Sequence, residues 1–198
     1  MKGYIRLRKA IMDKLHTELP EDCYYHGPEH TVYVLRACEP YITAEKVNKE
    51  EAKLLRIAVL FHDTGFTVSK FDHENTSAAI AKKMMAELGF RKEQFQVVKG
   101  LILATRIPHK PKNKLQRIIC DADLDYLGRP GYYEISRLLY KELKAFSQIA
   151  TEDEWIDRQI SFLESHRYFT PYAIKNRKPQ KLKRIQELKA LKLNREKV

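Results

Sequence analysis

Histidines and aspartates occur in this chain where apolar runs stop. The stretch "IAVLFHDTGF", residues 57–66, is a greasy run that ends in His62 and Asp63, with Thr64 and Gly65 next. Adjacent polar groups at the mouth of an apolar helix are costly when buried without partners. Four other stretches concentrate polar chemistry in the same way. "YYHGPEHTVYV" places His26 and His30 four apart, and "FDHENTSAA" supplies Asp72, His73 and Glu74. "ATRIPHK" supplies Arg106 and His109, and "IICDADLDYLG" brings Asp121, Asp123 and Asp125 after an apolar run. Singly, each has an ordinary reading: His109 as a boundary residue on an amphipathic helix, Asp72–Asn75 as a capping arrangement, Asp125 as a solvated residue near a helix C-terminus. Together, His30, His62, Asp63 and one aspartate of "DADLD" offer two imidazoles and two carboxylates from three helices. Mixed nitrogen and oxygen ligands suit a divalent ion: Mn²⁺, Fe²⁺, Co²⁺, Ni²⁺, Zn²⁺ or Mg²⁺. Consecutive side chains on a helix diverge by about 100°. His62 and Asp63 therefore reach one ion only near a helix end, where Thr64 and Gly65 stop this one.

Helices must position these groups. Apolar residues recur at three- and four-residue spacing almost throughout, with no strand alternation, no repeat and no low-complexity linker. Glycine and proline number only seven and eight. The chain reads as all-α. Punctuation predicts helices over 2–18, ending before Pro20, and from Pro28, a good first-turn residue, to Cys38. Another runs from Asn48 to Gly65, with Glu50 and Glu51 at its positive end. The next begins after Asp72 as N-cap and ends at Gly89. Further helices are expected over 92–105, 113–126, 131–148, 152–166 and 171–196.

A chain of 198 residues, 43% hydrophobic and 32% charged, is expected to form one globular domain over residues 1–198. No apolar stretch nears the roughly 18 residues that span a membrane, and "MKGYIRLRKAIMDKL" alternates charged and apolar residues, unlike a secretory signal. Cys23, Cys38 and Cys120 have no C-x-x-C spacing, so a reducing, cytoplasmic setting is expected. Of the net charge of +11, much lies in residues 174–198, with ten Lys or Arg against two Glu. A basic helical end can bind nucleic acid or anionic lipid. Its ordinary reading is a solvated face, with Leu182, Ile185, Leu188 and Leu191 as a stripe docking on the core.

An apolar helix into "FHDTG", then "DHENTSAA", then "ICDADLDYLG" resembles the HD-domain superfamily of metal-dependent phosphohydrolases over about residues 22–128. The chain looks most like small stand-alone predicted HD phosphohydrolases, and "FLESHRYFTPYA" is similar to their tail. The resemblance implies an HD-domain helical bundle with an additional basic C-terminal helix, in an extension of about 150–198. It also implies metal ligands His30, His62, Asp63 and a fourth aspartate. Family members take the aspartate of an "AD" dipeptide, which here is Asp123, with Asp121 as the alternative. "YHGPEH" is similar to the phosphodiesterases' Tyr-His placed four residues before the metal histidine, which implies His26 as general acid. His73 matches a position from which two-metal relatives recruit a further ligand. Glu74 and Asp121 are candidates for the same ion or for supporting the ligands, although the stretch lacks the fuller histidine set of binuclear members.

The implied activity is hydrolysis of a small-molecule phosphomonoester or phosphodiester, with a nucleotide first in line, by a metal-activated water. Arg106 and Lys110 are candidate phosphate contacts, being cationic and in the loop after a helix. Tyr24, Tyr25, Tyr126, Tyr132 and Tyr133 are candidates for stacking on a base. The alternatives are a non-catalytic HD domain that binds nucleotide, and a nucleic-acid binder working through the basic C-terminal helix.

Overall fold

Asn48 starts the helix that ends at the His-Asp pair. Its side chain accepts the Glu51 backbone N–H at 2.9 Å, capping α3 (Lys49–Phe61). In the computed structural model, which describes residues 2–195, Leu55 and every residue from Ile57 to Phe61 are fully buried. The C-terminal half of α3 is thus buried on all sides, and its continuous apolar run is the sequence signature of that position. Each Ile, Leu or Phe side chain buried there contributes about 1.5–3 kcal/mol. Around α3 pack α1 (Lys2–Glu18), α2 (Pro28–Ala44), α4 (His73–Glu87), α5 (Lys92–Ala104) and α6 (Lys114–Asp123).

The corner after α3 is built on a close approach. A Cβ on Gly65 would lie 2.0 Å from the His73 carbonyl oxygen, so only glycine lets α4 start against the 3₁₀ turn Thr64–Thr67. Ser77 of α4 locks the corner: its hydroxyl donates to the His62 carbonyl at 2.8 Å and accepts the Gly65 N–H at 2.8 Å.

A second apolar cluster joins α7 (Tyr132–Ala145), α8 (Glu152–Ser165) and α10 (Lys178–Arg195), through Tyr132, Ile156, Ile160, Leu163, Ile185 and Leu188, to Tyr25 and Leu124. Of the expected α10 stripe, Ile185 and Leu188 are buried, whereas Leu182 and Leu191 stay 47% and 45% exposed. Three basic residues of α10 pair with acids of α8. Lys189 pairs with Glu164, Lys192 with Asp157, and Arg195 with Glu152 and Asp153. Such exposed pairs add little stability, and they offset part of the positive charge of α10. Among the described residues there is no strand, and no helix is long and apolar enough to cross a membrane.

Several elements differ from expectation. α2 continues past Cys38 and through Pro40 to Ala44; burial of Tyr41 and Ile42 offsets the backbone hydrogen bond that a proline removes. α3 stops at Phe61 and α6 at Asp123, each followed by a 3₁₀ turn. The expected helix 171–196 breaks at Arg177 into α9 (Pro171–Asn176) and α10, and residues 196–198 lie outside the described residues. Asp72 adopts a left-handed conformation with φ of 51°, and its carboxylate takes the Asn75 side-chain amide and Arg106 rather than a backbone N–H.

Asp125 overturns its solvated reading, being fully buried. It accepts from Tyr41 Oη at 2.7 Å and Tyr33 Oη at 3.1 Å, and it pairs with Arg177 Nε at 2.6 Å and with Arg129. Arg177 is the residue between α9 and α10, and Pro179, in the first turn of α10, has no N–H to continue the preceding helix. Asp125→Ala leaves a half-buried guanidinium and two phenols without their acceptor. It is expected to lower unfolding free energy by about 3–5 kcal/mol, read from urea denaturation.

Candidate metal centre

α2, α3 and α6 bring their ends to one point. His30 lies in the first turn of α2, His62 and Asp63 follow the last residue of α3, and Asp123 closes α6. All four are buried. His30 Nε2 is 3.2 Å from His62 Nε2 and 3.1 Å from Asp123 Oδ1, and His62 Nε2 is 3.4 Å from the same oxygen. These three residues form one mutual group. An ion bonded at about 2.1 Å spaces neighbouring ligand atoms by roughly 3.0–3.4 Å. Asp63 stands outside that mutual group, but its Oδ2 is 3.1 Å from His62 Nε2 and 3.4 Å from His30 Nε2.

Two further observations fit a divalent ion. His62 Nδ1 donates to the Val59 carbonyl at 2.7 Å, which keeps a proton on Nδ1 and turns Nε2 toward the cluster. Asp63 Oδ2 is buried and meets no hydrogen-bond donor, a costly state that a cation beside it removes. Protons are the other means of balancing the cluster. Burial disfavours charge on His62, yet the Asp63 and Asp123 carboxylates raise its pKa well above the ordinary imidazole value. Burial also opposes charge on both carboxylates, and the imidazoles nevertheless hold them below the usual range.

Residues 29–125, which contain all four side chains, match the family model described as HD domain. The chain thus carries an HD domain over this segment. HD domains bind divalent metals, and the superfamily is typically one of metal-dependent hydrolases. No curated protein and no solved structure matches the chain.

The HD site opens into a cavity of about 350 Å³. His26 reaches it from the loop before α2 and is held on several sides. Its ring stacks on Phe66 with centroids 4.1 Å apart and meets Tyr25 edge-on at 4.7 Å. Its Nδ1 bonds to Glu142 of α7, and Glu142 Oε2 also accepts the backbone N–H groups of Tyr25 at 2.7 Å and His26 at 3.0 Å. Glu142 is fully buried and lies outside the matched HD segment. Burial opposes charge on His26, but the Glu142 bond and the Asp63 carboxylate prevail and raise its pKa. Sequence reasoning missed Glu142, which reads as one glutamate in the charged run "YKELKAF".

The remaining candidates separate. Asp121 faces away from the imidazoles: it accepts Phe169 N at 2.9 Å, Thr170 N at 2.7 Å and Thr170 Oγ1 at 2.7 Å, tying α6 to the start of α9. Burial, partly countered by those bonds, pushes its pKa up to about 6. His73 Nε2 lies 3.6 Å from Asp63 Oδ1 and 3.7 Å from Glu74 Oε1. Glu74 is shared with Arg106, which also pairs with Asp72. Arg106 is thus committed to two carboxylates, and neither it nor the exposed Lys110 lines the cavity; the phosphate role expected of them finds no support in the geometry. His109 donates from Nε2 to the Thr105 carbonyl at 3.1 Å and lies outside the ligand group. Of the tyrosines, Tyr25 and Tyr126 line the cavity. Tyr132 stacks behind Tyr126, Tyr133 bonds Glu187, and Tyr24 lies under Lys141.

Proposed function

We propose that this HD domain hydrolyses a small-molecule phosphomonoester or phosphodiester, with nucleotides the first class to test. The observation that carries the reading is the buried His-His-Asp cluster with the unpartnered Asp63 oxygen, opening on the same cavity as a proton-bearing His26. His30, His62, Asp63 and Asp123 would hold a divalent ion. When bound, the ion supplies activation of water and neutralisation of charge on the phosphoryl group. His62 keeps a proton on Nδ1 through the Val59 carbonyl, so Nε2 is the nitrogen it would give to an ion, releasing any proton held there. His26 keeps its Nδ1 on Glu142 and offers Nε2 to the leaving oxygen, as a general acid does. Phe66, packed between His26 and His73 at 4.1 and 4.2 Å, keeps both rings in place. The Arg106 charge beside Glu74 favours one ion over two, with His73 and Glu74 shaping the cavity wall.

The test is a phosphatase and phosphodiesterase panel on purified protein. Turnover that is abolished by chelator and restored by Mn²⁺ is expected. Tight nucleotide binding with no turnover under any of the metals would instead mark a regulatory HD domain.

A further inference from the structure

The cavity over the HD site has a charged feature that the reaction above does not use. Away from the ligands its walls are apolar, made by Tyr25, Leu124, Tyr126, Leu139, Leu143 and Phe162. Into these walls α8 places Arg158, which is exposed while lining the cavity and so stands where the cavity meets solvent. The acids of α8 are engaged elsewhere. Glu152, Asp153, Asp157 and Glu164 pair with α10, and Glu154 accepts the Ala150 and Thr151 N–H groups that precede the helix. Arg158 has no carboxylate within ion-pair distance among the described residues; it donates from Nη1 to the Gln148 carbonyl at 3.3 Å. Most of its donor fork is left free.

We propose that Arg158 docks a second anionic group of the substrate, so that the preferred substrate is a phosphoester whose leaving alcohol carries a flat apolar body and a further carboxylate or phosphate. This rests on the phosphohydrolase reading and names its substrate class. Tyr25, Tyr126 and Phe162 suit a flat ring, which gains both area and stacking geometry against aromatic walls. The Thr105 hydroxyl is already engaged, donating to the Ile102 carbonyl at 2.7 Å, and Arg158 is the one Lys or Arg among the residues that line the cavity. A guanidinium recognises a planar anion through paired N–H donors, and does so more strongly where apolar walls exclude water.

Calorimetry of the Mn²⁺-loaded protein with three non-hydrolysable ligands tests this: phenylphosphonate, 4-phosphonobenzoate and 4-(phosphonomethyl)benzoate. At least one carboxylated ligand is expected to bind about tenfold tighter than phenylphosphonate, with Arg158→Leu erasing the difference and Arg158→Lys keeping part of it. Equal binding of all three, a preference that survives Arg158→Leu, or no binding of any ligand would overturn the assignment. The two readings fail separately. A carboxylate preference without turnover of any phosphoester leaves Arg158 as assigned and removes the hydrolase; chelator-sensitive turnover of phenyl phosphate without that preference does the reverse.

Discussion

Asp63→Ala is expected to give a folded, helical protein that neither retains a divalent ion nor hydrolyses phosphoesters. The side chain accepts no backbone N–H, and its Oδ2 has no donor at all, so the fold loses little when it is removed. Among the described residues, only Asp123 stands in the same relation to both His30 Nε2 and His62 Nε2. Turnover should fall by roughly a thousandfold or more, since both water activation and phosphoryl neutralisation depend on the ion. Stability gives an independent reading. Ligand held only by the native state adds about 2.7 kcal/mol at a hundred times its Kd, so Mn²⁺ should raise the Tm of the parent and not of the variant. Parent-rate hydrolysis by Asp63→Ala, or an unchanged Mn²⁺ response, would contradict the assignment.

Glu142→Gln is expected to retain the metal and lose about ten- to a hundredfold in kcat. Glutamine keeps an oxygen for the Tyr25 and His26 N–H groups, so the fold should hold. It removes the negative charge that helps keep His26 protonated against the effect of burial. With that charge gone, His26 sheds its proton at lower pH. The protonated acid is then lost earlier as pH rises, and the alkaline limb of the kcat profile should move toward acid. His26→Ala should remove that limb while keeping the metal. Glu142→Ala additionally strands two backbone N–H groups, at about 1–3 kcal/mol each, and should lower Tm. If Glu142 were only a structural support, the glutamine variant would leave the limb where it is.

The cluster was legible because polar residues at the ends of apolar runs are few. His62 and Asp63 interrupt a run whose continuous burial is visible in its composition, and the all-α reading followed from spacing that the structure keeps. The three aspartates of "DADLD" were harder to separate. On a helix, residues four apart share a face, and a residue two along points away from both. Sequence spacing thus divides Asp121 and Asp125 from Asp123, but it does not say which face meets the imidazoles. The answer lies in distant partners: Thr170 takes Asp121 and Arg177 takes Asp125, which leaves Asp123 to the imidazoles.

Glu142 was illegible for the same reason. It sits 116 residues from His26 in the chain, on a helix whose other glutamate, Glu134, looks no different. Arg106 misled in the opposite direction. A cation in a loop after a helix reads as free, and only the fold shows it between Asp72 and Glu74. Local sequence reports propensity and pattern; pairing across the bundle belongs to tertiary structure.

The most direct measurement is anomalous diffraction from crystals of the protein soaked in Mn²⁺. The predicted result is a peak about 2.0–2.3 Å from His30 Nε2, His62 Nε2 and Asp123 Oδ1, with Asp63 turned to complete the shell. A peak elsewhere in the molecule, or none at a Mn²⁺ concentration that supports turnover, would contradict the metal centre on which the proposed hydrolysis depends.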